Sequence, residues 1–188
     1  MFPAIFRVFL DANVLYPGSI RNVLLDAHAK GLIQAYWSDQ VLEEMRRNLV
    51  LNHQKSEVGA AKLVDAIRRI FPGSLVTGYE SRVQEMRNDE GDRHVAAAAL
   101  TASAQVIVTN NLRHFRSEDL PAGIEAQSAD EFLQDLLDLD PEVMVEILKD
   151  HTSKMKDPKI TLEEYLEQFS RSAPGFIRDV REYLHAVN

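Results

Sequence analysis

Short apolar runs alternate along this chain with longer stretches in which apolar residues recur every three or four positions. Residues 5–10 form an apolar run broken only by Arg7 and closed by Asp11, the pattern of a strand buried on both faces of a parallel sheet. Pro17-Gly18 turns the chain, and Ser19 is placed to cap a helix whose apolar face carries Ile20, Val23, Leu24 and Ala27, with Gly31 as its stop. Residues 32–37 read as a second short strand. Ser38 caps the next helix, striped by Val41, Leu42, Met45 and Leu49, and a further helix over residues 55–71 ends at Pro72-Gly73. A third, very short strand is expected near residues 75–76. Asp92 opens a helix running through Val95, the alanines 96–99 and Leu100, side chains small enough for a helix to lie close to a sheet. Residues 105–109 (QVIVT) form a β-branched strand ending in Asn110-Asn111. A weak strand at residues 124–126 and a helix from Ser128 follow.

Strands that alternate with helices imply an α/β fold with an open parallel sheet flanked by helices. After about residue 137 the pattern is helical only. Asp140-Pro141 starts a helix over residues 142–155, and Asp157-Pro158 breaks it. Thr161 and Glu164 have capping-box spacing for residues 162–169, and Pro174-Gly175 precedes residues 176–187. The expected division is therefore an α/β domain over residues 1–137 and a small all-α extension over 138–188.

Composition narrows the chemistry. Cysteine is absent, so disulfides and thiolate metal sites are excluded and any cation must be held by oxygen or imidazole. No apolar run approaches the ~20 residues of a membrane span, and the first thirteen residues lack the basic flank and apolar core of a secretory signal. A cytoplasmic protein without membrane contact is the expectation. The net charge of -8 is unevenly spread: residues 1–127 carry 14 Lys+Arg against 15 Asp+Glu, whereas residues 128–188 carry 7 against 14. The acidity thus belongs to the C-terminal helices, and the first part is nearly neutral.

Acidic residues fall at the ends of predicted strands or near helix starts. Asp11 follows the first strand, Glu44 lies two turns into the helix capped by Ser38, and Asp89 and Asp92 flank the start of the alanine-rich helix. Sites in open parallel sheets form at the C-terminal strand edge, where such side chains can converge. Converging carboxylates repel, and hard oxygen ligands favour Mg²⁺ or Mn²⁺, which lowers the pKa of a bound water and polarises a phosphoryl oxygen. Taken one at a time, the same residues serve as helix caps or solvated surface, so spacing leaves both readings open.

Four strings taken together go further. FLDANVLYP, SDQVLEEMRRNL, DEGDRHVAAAAL and VIVTNNLRHF resemble, in order, the four sequence blocks of PIN-domain ribonucleases, most of all the VapC-type toxins of bacterial toxin–antitoxin pairs. The resemblance spans residues 5 to about 133, and the chain beyond resembles the helical extension of one VapC subgroup. It implies a PIN-like fold and a Mg²⁺-dependent endoribonuclease that leaves a 5′-phosphate and a 3′-hydroxyl. A toxin role, a cognate antitoxin and a homodimer are implied with it. Asp11, Glu44 and Asp92 match the family's acids, with Glu43 a step off that face of the helix; Asn13 and Thr109 match the supporting polar positions, and Asp89 an auxiliary ligand. Many PIN enzymes have Thr-x-Asp in the fourth block, where this chain has Thr109-Asn110-Asn111. Asn111 can offer a cation an oxygen but no charge. The expectation is weaker metal binding with activity kept on three acids; the alternative is an inactive module that binds RNA or a partner. An α/β phosphatase with Asp11 as nucleophile is disfavoured because Asn13 stands where a second Asp is usual. The expected RNA path consists of Arg21, Arg46, Arg93, Arg113, His114 and Arg116, while His94, Tyr36 and Trp37 are expected in structural roles.

Overall fold

The computed structural model describes residues 6–187. Its strands are β1 (Phe6–Leu10), β2 (Ile33–Ser38), β3 (Leu75–Val76), β4 (Val106–Val108) and β5 (Glu125–Gln127). They pair in parallel throughout, in the order β3-β2-β1-β4-β5. The α/β architecture read from the alternating pattern is the architecture found. Ile5, which the pattern adds to the first strand, lies outside the described residues.

Nine α-helices accompany the sheet among the described residues: α1 (Ala12–Leu15), α2 (Gly18–Ala29), α3 (Asp39–Leu51), α4 (Glu57–Ile70), α5 (Arg93–Thr101), α6 (Ala129–Leu139), α7 (Pro141–Lys154), α8 (Leu162–Ser170) and α9 (Pro174–Val187). Two local expectations are corrected. The single turn α1 is absent from the pattern because four residues are too few to show a helical period. Helix α2 begins one residue before Ser19, with Pro17 at its N-cap and no side-chain cap. Its other end is as expected. Gly31 has φ +81°, its N–H reaches the carbonyl of His28, and the N–H of Leu32 reaches that of Ala27, which closes the helix with a left-handed glycine. Ser38, Ser128 and Thr161 cap α3, α6 and α8, the last two with the full capping box.

The core explains which helix goes where. Val8, Phe9 and Leu10 of β1 and all of β4 are buried, as a central parallel strand covered on both faces requires. Helix α5 packs on β1, β2 and β4, and its four alanines, 96–99, have no exposed surface. Larger side chains at these fully buried positions would overpack the core, typically at about 1–3 kcal/mol. Helices α6 to α9 continue the same core. Phe132, Phe169 and Phe176 are buried, α7 lies on α2, and α9 lies on α6.

The order of the strands decides where a site can form. From β1 the chain steps outward to β2 and β3 on one side and to β4 and β5 on the other. The connections leave a crevice at the C-terminal ends of β1 and β4, the switch point of the sheet. Leu10 and Val108 are register partners, so Asp11 and Thr109 emerge side by side at that edge.

Candidate metal centre

Asp11 leaves β1 with its backbone still in the sheet, its N–H on the carbonyl of Val108 at 3.1 Å. It is also the N-cap of α1, and Oδ1 accepts from the N–H of Ala12 at 2.6 Å. Oδ2 accepts from Asn13 Nδ2 at 2.6 Å and from the Thr109 hydroxyl at 2.7 Å. Asn13 is itself fixed, because its Oδ1 accepts from the N–H of Asn110 at 2.9 Å. The Asp11 side chain is thus held by both strands of the switch point. Only 4% of the residue is exposed.

Burial, opposed by the hydrogen bonds from Thr109 and Ala12, pushes the Asp11 carboxyl up to about 6. The negative charges of Asp92 and Glu44 push in the same direction, so these two acids lie near enough to be felt. Asp92 and Glu44, far from Asp11 in sequence, thus fall within electrostatic range of it.

Glu44 projects from α3 and is half buried. His94 Nε2 lies 3.3 Å from its Oε1, and Gln40 donates to the same oxygen at 3.2 Å. Burial works to raise the Glu44 carboxyl, but His94, Gln40 and Arg47 together outweigh it and hold it below the usual range. Its neighbour Glu43 faces elsewhere, forked by Arg46 at 2.7 and 2.8 Å. The ~100° between successive helical residues accounts for the difference.

Asp92 stands at the N-cap of α5 yet makes no capping hydrogen bond. Its carboxylate points instead to the loop after β4, where Oδ2 lies 2.6 Å from His114 Nδ1 and 3.4 Å from Asn111 Nδ2. Asp89 caps the short turn before α5 through Gly91, and its Oδ1 is 3.7 Å from the same His114 nitrogen. Ligand atoms of Asp89, Asp92 and His114 all fall within 4.8 Å of one another. The N–H of Asn111 donates to Thr109 Oγ1 at 3.1 Å, so one hydroxyl links this loop to Asp11.

The donors fit a hard divalent cation. They are carboxylate oxygens with one imidazole, and among the described residues neither Lys nor Arg forms an ion pair with Asp11, Glu44, Asp89 or Asp92. An acid raised chiefly by burial, with two neighbouring acids adding to it, is an electrostatic state that a cation relieves.

The six residues expected on an RNA path are placed unequally. Arg21 is buried, with Nη1 donating to the carbonyls of Leu15 and Tyr16 at 2.9 and 3.2 Å, so its charge is used inside the fold. Arg46 bridges Glu43 and Glu57. Arg93 donates to the carbonyl of Asn88 at 3.3 Å, and Arg113 to Asn111 Oδ1 at 3.2 Å, beside the acidic cluster. Arg116 is exposed. His114 sits within the acidic cluster. Two contacts escaped the sequence reading: His94 against Glu44, and His114 against Asp92. Neither is local, since each joins residues far apart in sequence; only the spacing of Asn111, which caps the short turn Leu112–His114, from His114 is legible in the chain.

Comparison with known proteins adds to this geometry. A family model described as PIN domain matches residues 7–113, more than half of the chain, and one described as VapC50 C-terminal domain matches residues 129–182. The chain is 36% identical over 115 residues to the protein named "Putative ribonuclease VapC50" of Mycobacterium tuberculosis (strain ATCC 25618 / H37Rv), covering 58% of this chain and 68% of that protein. No solved structure matches the chain.

Proposed function

We propose, from the premise that this chain belongs to the PIN-domain family and is VapC-type with the C-terminal extension, that it is a metal-dependent endoribonuclease acting as the toxin of a toxin–antitoxin pair. The observation that carries the reading is the buried Asp11 carboxyl at the sheet's switch point, raised to about 6 with Asp92 and Glu44 contributing.

Asp11 and Asp92 would hold Mg²⁺ or Mn²⁺, supported by Glu44, with Asp89 and Asn111 at its margin. A bound ion supplies charge neutralisation at the phosphodiester and lowers the pKa of water for in-line hydrolysis. Asn13 and Thr109 orient Asp11 by fixing Oδ2, and His94 orients Glu44. Arg113 and Arg116 are the cations best placed to meet substrate phosphates beside the loop after β4. The division into a nuclease domain (1–137) and an extension (138–188), the cognate antitoxin, the homodimer and a cytoplasmic setting belong to this proposal. Among the described residues no helix is long and apolar enough to cross a membrane.

A second reading, an RNA- or partner-binding module without catalysis, is favoured by one contact: the amide nitrogen of Asn111 lies toward Asp92, at 3.4 Å. One experiment separates the two. RNA cleavage by the purified protein in Mg²⁺ or Mn²⁺, lost in EDTA and lost in Asp11→Ala, is the expected result. RNA that remains intact under all of these conditions selects the binding module.

A further inference from the structure

The C-terminal helices are acidic as a group, but their positive charge is concentrated. Lys149, Lys154, Lys156 and Lys159 lie within eleven residues that also contain Asp150 and Asp157, whereas the remainder of residues 128–188 has three arginines against 12 acidic residues. These four are more than half of the chain's seven lysines. The arginines nearby are engaged: Arg178 with Asp179, and Arg181 with Glu163 and Glu167. Among the described residues, none of the four lysine ammonium groups has a hydrogen-bond or ion-pair partner.

Their placement is concave. Lys149, Lys156 and Lys159 rim a cavity of about 520 Å³ floored by Met155, Ile160 and Leu162. Lys154 lies on an adjoining cavity of about 510 Å³ that shares Met155 and is closed on its far side by Gly18 and Ser19. Gly18 begins α2, seven residues after Asp11. With four of the intervening residues helical, its Cα is at most about 17 Å from that of Asp11 by chain geometry. One lining residue of the surface therefore lies within that distance of the acidic centre, although none of the acids lines either cavity.

We propose that this lysine-rimmed double cavity is a second RNA contact, a track that grips the substrate strand by its phosphates at a distance from the acidic centre. The inference rests on the reading of the protein as a ribonuclease. Unpaired lysines around an apolar floor suit a single strand, which alternates phosphates with apolar base and sugar faces. A broad, flat anionic surface such as a bilayer fits less well, because the lysines rim concavities that a narrow strand can enter.

The test uses the full chain with Asp11→Asn in EDTA, so that cleavage does not enter, and a fluorescently labelled single-stranded RNA of about 20 nucleotides followed by anisotropy. Replacing all four lysines by glutamine (K149Q/K154Q/K156Q/K159Q) is expected to weaken binding at least tenfold. The slope of log K against log salt should fall by roughly 2–3, at about 0.7 per phosphate contact. In the active protein the same replacement should raise KM on long RNA and leave kcat on a dinucleotide unchanged. Equal affinity and slope overturn the proposal, as does an equal loss in the matched pair K55Q/K62Q. Lysine-dependent binding to phosphatidylglycerol vesicles without RNA binding overturns it in favour of a lipid surface. Lysine-dependent RNA binding by a protein that cleaves nothing supports the track while refuting the ribonuclease reading, so the two failures are distinct.

Discussion

The hydroxyl of Thr109 donates to Oδ2 of Asp11 at 2.7 Å, joining the residues that follow β4 and β1 across the switch point of the sheet. That bond holds the Asp11 carboxyl down against burial. Thr109→Val keeps the shape and removes the donor, so Asp11 should titrate still higher. Mg²⁺ affinity, measured by titration calorimetry at pH 7, should fall several-fold, with about 1 kcal/mol lost in stability. Unchanged affinity would show that the hydroxyl does not tune the acid.

The pH dependence of stability follows from the same acid. The folded-state value of about 6 lies above the ordinary 3.8, so between these values the folded protein binds more protons than the unfolded chain. The Asp11 contribution to the stability of the metal-free protein should therefore fall by on the order of 3 kcal/mol as pH rises from 4 to 6, against the opposite trend of the lowered carboxylates Glu43, Glu44, Glu131 and Glu164. Asp11→Asn should remove this contribution from the profile and raise the melting temperature in EDTA at pH 7, while abolishing cleavage. Urea denaturation across pH 4–8, with and without the substitution, measures it.

Glu43 and Glu44 offer an internal contrast on one helix. Glu44 faces His94 and the acidic centre, whereas Glu43 is forked by Arg46 at the surface. Glu44→Gln should reduce RNA cleavage by a factor of ten or more. Glu43→Gln should change it less than twofold, and equal losses would place the centre differently.

Asn111→Asp adds a negative charge beside Asp92, whose Oδ2 is 3.4 Å from the present amide nitrogen. Without metal the new carboxylate repels Asp92, and the melting temperature should drop. With Mg²⁺ the extra charge should tighten binding, so the metal-induced rise in melting temperature should exceed that of the parent protein. An equal or smaller rise would count against a ligand role at this position.

Between the sheet domain and the C-terminal helices, His151 of α7 bridges Asp26 of α2, at 2.6 Å, and the hydroxyl of Tyr165 of α8, at 3.0 Å. Burial is the main reason the Tyr165 hydroxyl is pushed up to about 12, with the charge of Asp26 adding to it. His151→Phe should cost about 1–3 kcal/mol by leaving a buried hydroxyl without a partner. Denaturant titration at pH 7 measures the loss, and RNA cleavage per folded molecule should be unchanged.

Much of the molecule is legible in its one-dimensional pattern. The apolar runs that become β1, β2 and β4, the caps at Ser38, Ser128 and Thr161, and the stop at Gly31 are all local. Each depends on residues within a few positions of one another, where periodicity and capping chemistry act. The strand-end position of Asp11 is legible for the same reason. Other features are not local. The alignment of Asp11 with Thr109 depends on β4 pairing beside β1, and a sequence does not display strand order. Arg21 reads as a surface cation beside a helix start, yet the fold carries it inward onto the carbonyls of Leu15 and Tyr16. His94 and His114 read as a helix residue and a phosphate contact, and only folding sets them against Glu44 and Asp92. Asp11 and Asp92 stand out in the chain because one ends a strand and the other opens a helix, whereas Glu44, inside α3, is singled out only by the resemblance of its block. The burial that raises Asp11, and the added push from Asp92 and Glu44, arise only when the tertiary structure encloses the first acid and brings the other two within electrostatic range of it.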